Sequence, residues 1–546
     1  AGTMRDSWDS KCLQERFQAF LLQMAAFFEK YPALHEEARA LHHIADAARR
    51  PFSVAVFGRV KAGKSSLVNA LIGKELAIMG SEEATATINR ISHASREMNQ
   101  YFTVHWKEAP AESFPLEKLH TDWTGKDDRV IDRVRRTSFL ELFSDAEALK
   151  HTRIIDTPGT GSANDDHEKV AQNFLDAEKS SIAEGEKADA LIYVFGYLGK
   201  EADEQSLQTF RKGCLPGSSP YNSVGVFHLW DNTYWDNGGD MNDIERKAEQ
   251  LKNHMRDVVA DIIPVSAPLA LAAQLAPDGF FDRLQSVILS LSEEELLAAL
   301  KRDTRWDREE EQASIRSMCP WLPWTSFRVL VRHMFRMGNS EAVRHRKALR
   351  ELSGIDRLLS FLEEKFFRRG AIIKQRQSRA KARHMIEHAY WTLEGLQERL
   401  EQEQEHWGIL ATAIEEPSTK LWVYEKKAEG KQELAVLLQH WEEADRFRII
   451  EEELLAELDR DMEILDSLDK SLAFLPPDAR QYIRLLLEGS LDSSIRDGDV
   501  TDDFRKTYTL LCEAVTGAPD RETRTTAEHI RHRMESSQSP FNEKRS

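Results

Sequence analysis

Ser53-Val-Ala-Val-Phe57, Gly58-Arg-Val-Lys61-Ala62-Gly63-Lys64-Ser65 and Ser66-Leu-Val-Asn-Ala-Leu71-Ile72 follow one another without a break. The first is an apolar run of strand length and the last is helical. Between them stands the pattern G-x-x-x-x-G-K-[ST]. Ordinary residue frequencies produce such a match by chance in roughly one chain in a hundred of this length, and the strand-loop-helix setting lowers that further. A loop of this kind wraps backbone N–H groups around phosphates, with Gly58, Lys61, Ala62, Gly63, Lys64, Ser65 and Ser66 lining it. Gly63 lets the backbone come close, Lys64 neutralises β and γ charges, and Ser65 can ligate Mg²⁺. A tight turn without a ligand needs neither Lys64 nor Ser65.

Outward from this motif the texture alternates. Short β-rich runs at Tyr101-Phe-Thr-Val-His-Trp106, Arg153-Ile-Ile155, Ala190-Leu-Ile-Tyr-Val-Phe195, Val224-Gly-Val-Phe-His228 and Ile262-Ile-Pro-Val265 are mostly separated by helical stretches. That alternation predicts an α/β fold, a mostly parallel sheet with helices on both faces. The run Arg153–Ile155 leads into Asp156-Thr-Pro-Gly159. An acid at a strand end can hold a Mg²⁺-bound water beside the phosphate loop, and the N–H of Gly159 can meet a γ-phosphate. Without the upstream loop, D-T-P-G would be just a turn.

Gly58 to Leu71, Asp156 to Gly159 and the helical stretches on both sides resemble the dynamin-like GTPases, above all bacterial members and, more narrowly, the LeoA type. The long stretch between Lys64 and Asp156 is also similar to those larger G domains rather than to the compact Ras type. The resemblance covers residues 51 to 368 by motif and 369 to 546 only by helical architecture. It implies hydrolysis of GTP to GDP and phosphate, coupled to self-assembly and to membrane binding or remodelling. The implied cofactors are GTP or GDP and Mg²⁺; the implied partners are a second copy, related dynamin-like chains and a lipid membrane. It further implies a switch-loop threonine closing over Mg²⁺ and the attacking water. Glu83-Ala-Thr85-Ala-Thr87 lies where that loop belongs, with Thr85 the expected residue and Thr87 next, although a β-branched residue also simply begins strands. The loop lacks the proline that precedes this threonine in relatives. Relatives place a small polar residue where Lys61 stands and receive help there by head-to-head dimerisation. Lys61 either donates charge to the transition state or is a solvated loop residue, and no arginine finger can be named.

Guanine selection in such domains rests on N-K-x-D after a later strand. Here His228-Leu229-Trp230-Asp231 occupies that frame, with the Asn and Lys replaced. Asp231 keeps the carboxylate that accepts from N1 and N2 of guanine, while stacking by the lysine stem is lost. An NTPase of weak base specificity therefore stays open as an alternative, as does a nucleotide-gated scaffold with little hydrolysis. Ile263-Pro-Val-Ser266-Ala267 is similar to the last G-domain motif, whose backbone N–H faces the guanine oxygen; otherwise it is a strand end. Leu352-Ser-Gly354-Ile-Asp-Arg-Leu358 resembles the start of the last helix of these domains. Residues 274 to 340, with Cys319-Pro-Trp-Leu-Pro-Trp324, then read as a helical insertion, and the domain ends at 368.

The chain ends are helical. Leu13, Phe17, Phe20, Leu21, Met24, Phe27 and Phe28 recur at helical spacing and predict one long helix over residues 8 to 49, ahead of Pro51. Beyond 369 the strand signals vanish. Ile386, Ala389, Leu393, Leu396, Leu400 and Trp407 lie near a seven-residue repeat that Glu403 breaks. Leu434, Leu438, Trp441, Leu454, Leu458, Leu465, Leu468 and Leu472 mark a second long helix that stops before Pro476-Pro477. Both stripes are read as packing within an antiparallel bundle rather than as intermolecular coiled coil, and the resemblance implies a neck and trunk built from both chain ends. Between them lie Ile409-Leu-Ala-Thr-Ala-Ile414, Pro417 and Leu421-Trp-Val-Tyr424, flanked by Lys420, Lys426 and Lys427. This stretch, 409 to 427, is either an insertion tip for a membrane or a bundle corner with buried aromatics. The basic run Lys365 to Arg383 is read as facing acidic helices rather than anionic lipid. Asp492 to Asp503 reads as a late linker.

Composition sets the outer bounds. A chain of 546 residues is too long for one ordinary core, so two or more units are expected. With 74 basic against 92 acidic residues and a net charge of -18, bulk charge disfavours general binding to nucleic acid or to anionic bilayers, and no nucleic-acid partner is expected. Cys12, Cys214, Cys319 and Cys512 lie far apart without metal-ligand spacing, which fits a reducing compartment and neither a disulfide framework nor a zinc site. The absence of a long apolar run and of a secretory pattern suggests a soluble, cytoplasmic protein, and the resemblance implies a peripheral place at a membrane. Ala1-Gly2-Thr3 ahead of Met4 reads as an expression leader.

Overall fold

Among the described residues nine strands form one sheet: β1 (Phe52–Gly58), β2 (Asn89–His93), β3 (Tyr101–Trp106), β4 (Glu112–Pro115), β5 (Thr137–Ser144), β6 (Thr152–Asp156), β7 (Ala190–Phe195), β8 (Ser223–Phe227) and β9 (Ile262–Pro264). Their order is β4-β3-β5-β2-β6-β1-β7-β8-β9. The computed structural model describes residues 10–47, 50–58, 63–76, 87–95, 97–123, 128–146, 149–150, 152–157, 188–195, 219–228, 230–488, 502–518 and 520–537. The chain divides into two units, one of residues 51–368 and one of residues 1–50 with 369–546.

In the first unit β1 is parallel to β6 on one side and β7 on the other, and β8 and β9 continue the parallel run. Strands β7, β8 and β9 are buried throughout, as strands covered on both faces must be. Register aligns the C-terminal ends: Val56 pairs with Asp156, Gly58 with Val194, Phe195 with Phe227, and Phe227 with Pro264. The loops that follow β1, β6, β8 and β9 thus leave one edge of the sheet, where open α/β sheets bind ligands.

The expected strands are present, and β2, β4 and β5 add to them. Strand β2 is antiparallel to β6 and parallel to β5, and β3 is antiparallel to both β4 and β5. In β5 the residues Thr137, Leu140, Leu142 and Ser144 are buried while those between are more open, the alternation of a sheet half-covered on one face. The helical stretch 267–353 shares one core with β7, β8 and β9, in which Tyr193, Phe195, Phe227, Phe280, Trp306 and Phe327 take part. The segment expected as an insertion is therefore continuous with the domain's own core. The joint between the helices Ala342–Ser353 and Ile355–Phe361 is seated on the end of β9. Ser266 N donates to Ser353 O at 2.9 Å, and Gly354, at φ +74°, comes so close that a Cβ would lie 2.2 Å from Pro264 O. Only glycine meets both conditions.

In the second unit the N-terminal segment is two helices, Ser10–Phe28 and His35–Ala47, where one was expected. The break is at Pro32, which opens a 3₁₀ turn and holds Tyr31 extended at φ -111°, ψ 113°. Phe17, Leu21, Phe28, Leu34 and Leu41 pack with Ala382, Ile386, Leu393 and Leu437. Two long helices follow, Gly370–Ala413 and Pro417–Ser471, of 44 and 55 residues. They run antiparallel: Arg369 pairs with Asp466 at 2.6 Å, Arg376 with Asp459, and Arg383 with Glu452 at 3.4 Å. The basic run meets acidic side chains of the neighbouring helix, as its charge pattern predicts. Glu416 accepts from the N–H groups of Ser418 and Thr419 and so caps the second helix, whose first residue is Pro417.

The C-terminal helices Asp502–Gly517 and Arg521–Ser537 close a further core with Leu468, Leu472 and Ile483. Asp461, fully buried, accepts from His529 Nε2 at 2.7 Å and from Arg533 Nη2 at 2.6 Å. Residues 489–501, most of the expected linker, lie outside the described residues, while Asp502 and Asp503 open a helix. Cys319 is buried and Cys512 half-buried, both free; the side chains of Cys12 and Cys214 lie outside the described residues. Among the described residues no helix is long and apolar enough to cross a membrane.

Candidate functional site

Strand β1 delivers Gly58, and the helix Lys64–Ile72 begins directly after Gly63. The first intrahelical bond runs from Leu67 N to Gly63 O at 2.9 Å, so the helix directs its N-terminal end, with Lys64, Ser65 and Ser66, at the loop. Lys61 and Ala62 lie outside the described residues. Gly63 stands at φ +85°, a conformation that glycine takes without steric cost. Lys64 is buried and donates from Nζ to Gly58 O at 3.1 Å. Burial pushes its pKa down, against the pull of the Asp156 charge.

Asp156 ends β6 and is 3 % exposed. Its Oδ2 accepts from Ser65 Oγ at 2.9 Å. Burial pushes its pKa up, while the Lys64 charge, the Ser65 hydroxyl and the Asn89 amide hold it down. Among the described residues its buried Oδ1 has no hydrogen-bond partner. A hydroxyl beside a carboxylate with a buried, unsatisfied oxygen is a hard-oxygen donor set that fits Mg²⁺. Thr157 anchors the turn after β6 by donating from Oγ1 to Val56 O at 2.7 Å. Gly159 lies outside the described residues, as does Thr85. Thr87 is described: it is buried, its Oγ1 has no partner among the described residues, and it stands two residues ahead of Asn89, which pairs with Asp156 across β2 and β6. Asn89 was not singled out from the sequence, because nothing local marks a side chain whose partner is reached across strands.

The base side is built from the ends of β8 and β9. Asp231 opens the helix Asp231–Asp236, is 2 % exposed, and accepts from Ser266 Oγ at 2.9 Å. Ser266 caps the helix Ala267–Leu275, which starts at the end of β9. The structure thus brings Asp231 and Ser266 together. Burial pushes the Asp231 carboxyl up to about 6, with Ser266 and, more weakly, the Arg328 guanidinium opposing. Arg328 bonds Asn232 Oδ1 at 2.7 Å and lies over the Trp235 ring. Trp230 is fully buried against Tyr234, so this tryptophan is core. Leu229 lies outside the described residues. His228, read from the sequence only as a lost asparagine, is buried, and its Nε2 accepts from Ala267 N at 3.3 Å.

Residues 54–195 match the model of the dynamin family. The matched stretch runs from β1 to β7 of the mostly parallel sheet, within the unit of residues 51–368, and is similar to the GTPase domain of that family. It is 27 % identical over 248 residues to the isoniazid-induced protein IniC of Mycobacterium tuberculosis, across 43 % of this chain and 46 % of that protein. To an uncharacterized protein of Caldicellulosiruptor sp. it is 22 % identical over 264 residues, across 47 % of this chain and 58 % of the relative. The chain thus spans about half the length of the curated relatives it matches. Among solved structures, an oligomerised bacterial dynamin pair, described as providing a mechanism for long-range sensing and tethering of membranes, is 13 % identical. It covers 97 % of this chain and 90 % of its own, at a TM-score of 0.32.

Proposed function

We propose that the chain hydrolyses GTP to GDP and phosphate and couples this to self-assembly and membrane binding; a place within the LeoA type belongs to the same proposal. The observation that carries it is the Lys64–Ser65–Asp156 cluster at the end of β1, buried, with one carboxylate oxygen left unsatisfied among the described residues. In this reading the loop from Gly58 through Lys61 and Ala62 to Ser66 wraps the phosphates. Lys64 leaves the Gly58 carbonyl for the β- and γ-phosphate oxygens, which compensate its buried charge. Ser65 and Asp156, with Thr85 from the switch loop, would hold Mg²⁺, which neutralises charge on the β- and γ-phosphates. Thr85 orients the attacking water, Gly159 donates its N–H to the γ-phosphate, and Lys61 adds positive charge at the β–γ bridge. Asp231 accepts from guanine N1 and N2 beside Ser266.

The membrane part rests on the turn between the two long helices. Ile409, Leu421, Trp422 and Tyr424 are each half-exposed or more, Trp407 meets Trp422 edge-on, and Lys420, Lys426 and Lys427 flank them. Within residues 409–427, Ala411 and Val423 are buried. Exposed aromatics beside lysines suit the interfacial zone of a bilayer. GTP turnover with and without anionic liposomes tests both halves: no turnover in either condition rejects hydrolysis, and no sedimentation with liposomes rejects membrane binding. A second reading, an NTPase of weak base specificity, is favoured by the replaced Asn and Lys at His228 and Leu229, and side-by-side GTP and ATP titrations decide it.

A further inference from the structure

We infer that Arg328 is a positioning residue for the guanine reader: from a helix outside every nucleotide motif it grips the turn that opens at Asp231 and sets a fixed positive charge beside that carboxylate. The inference rests on the guanine-site reading above and gives a task to a helix which that reading leaves idle.

The helix Trp324–Met337 packs on the short helix Asp231–Asp236. It carries arginines at 328, 332 and 336, and a spacing of four puts all three on one face. Each meets the next step of the segment that leaves Asp231. Arg328 donates from Nη2 to Asn232 Oδ1 at 2.7 Å, and its guanidinium lies 4.8 Å from the centre of the Trp235 ring. Arg332 lies 5.2 Å from the same ring and donates to Trp235 O at 3.2 Å. Arg336 donates to Gly238 O at 2.6 Å, just past the end of the short helix. Cations suit the carbonyls at a helix C-terminus, and these acceptors compensate three like charges set four residues apart.

Of the three, Arg328 acts on the reader. Burial pushes the Asp231 carboxyl up, and Ser266, the buried Ser326 hydroxyl and Arg328 hold it down, while Arg332 and Arg336 act on Tyr234. Arg328 in turn feels Asp236 and Asp231. Neighbouring elements bring the neutral Ser266 from the end of β9, the buried His228 from the end of β8, and Asp243 from the helix Met241–Met255, paired with Arg246 and Lys247. Among the described residues Arg328 is therefore the cation that acts on this carboxylate. A carboxylate accepts from guanine N1 and N2 together, whereas a protonated carboxyl turns an O–H toward one of them. Without the Arg328 charge the carboxyl keeps its proton to higher pH, so guanine binding fades sooner as pH falls. Adenine makes no use of the carboxylate, and its binding stays as it was.

The test uses the full chain with Mg²⁺ and calorimetry of GDP and ADP between about pH 5 and about pH 8 on wild type, Arg328→Gln and Arg328→Lys. The glutamine variant is expected to lose GDP affinity at a pH about half a unit higher, which makes it about threefold weaker near pH 5.5, with ADP unchanged. The lysine variant keeps the charge and is expected to follow the wild type. A glutamine profile that superposes on the wild type, an equal loss for ADP, or a lysine variant that behaves as the glutamine variant does overturns the inference. Should Arg328→Gln fail to fold, Asn232→Ala, which frees the guanidinium from an exposed partner, decides by the same profile: an upward shift is expected, and a wild-type profile overturns the inference. If the wild type binds no guanine nucleotide, the site reading fails by itself. A carboxyl-carbon NMR titration of the empty protein, with the Asp231 signal assigned by its absence from Asp231→Asn, then decides: Arg328→Gln is expected to raise its midpoint, and an unmoved midpoint overturns the inference.

Discussion

Replacing Asp231 with asparagine is expected to raise the stability of the empty protein and to lower its affinity for guanine nucleotides. The carboxyl is buried and raised from 3.8 to about 6, a difference that corresponds to about 3 kcal/mol opposing ionisation in the folded state. The sign runs opposite to the usual aspartate. A folded pKa above the unfolded one favours the protonated form in the fold, so this group's contribution is largest below 3.8, declines as pH rises toward about 6, and is flat above. Asparagine carries no charge to bury and still accepts from Ser266 Oγ, so at pH 7.5 the empty variant should gain stability, by up to about 3 kcal/mol, seen as a higher melting temperature. Guanine binding reverses the direction. A carboxylate accepts from both N1 and N2, whereas a carboxamide accepts from one and turns its own donors toward the other. Losing a charged hydrogen bond is worth about 2 kcal/mol, or about thirtyfold in GDP affinity, with ADP unaffected. In the wild type, GDP affinity should fall by up to tenfold per pH unit below about 6, as the carboxyl takes up its proton. Calorimetry with GDP and ADP at pH 7.5 and 5.5, beside thermal melts of the empty proteins, measures both effects. A variant that binds GDP like the wild type, or melts lower, refutes the assignment of Asp231 as the buried guanine reader.

Lys64→Ala should abolish nucleotide binding or turnover with the fold intact, since it removes a phosphate-facing charge and little core volume; fluorescent-nucleotide titration and circular dichroism check it, and unchanged hydrolysis sinks the site. Thr85→Ala should spare binding and lower turnover at least tenfold, because it acts on water and metal. Thr87→Val should leave turnover within twofold and raise the melting temperature by removing a buried, unpartnered hydroxyl; the converse result in steady-state assays moves the switch role to Thr87. Trp422→Ser combined with Leu421→Ser should reduce sedimentation with anionic liposomes several-fold at unchanged basal turnover, and undiminished sedimentation rejects the tip.

The parts of the site that could be read from the sequence are those whose chemistry is written in consecutive residues. Gly58 to Ser65 and Asp156 to Gly159 are of this kind, and Lys64, Ser65 and Asp156 do meet in one buried cluster. What escaped was set by contacts distant along the chain. Asn89 reaches Asp156 only because β2 pairs with β6, and His228 reaches Gly63 only because β1, β7 and β8 align their ends. Strand β5 shows its period of two only once one face is known to be covered, since Glu141 and Ser138 interrupt its apolar residues. At the N-terminus the apolar stripe was real but hid a local rule, the exclusion of helical geometry before Pro32. The opposed basic and acidic runs of the long helices were legible because charges packed between helices need partners of opposite sign.

The helix Gly370–Ala413 has a mechanical consequence of its own. At 44 residues it is about 66 Å long, and its partner helix runs back beside it along that length. Such a hairpin is a multiplier of angle: a rotation of about ten degrees at its root sweeps the far turn through roughly 11 Å, about one helix diameter. The ion pairs Arg369–Asp466, Arg376–Asp459 and Arg383–Glu452 all clasp the root end, where stiffness has the longest leverage. A label on Trp422 therefore reports root motions far too small to register at Arg369 itself.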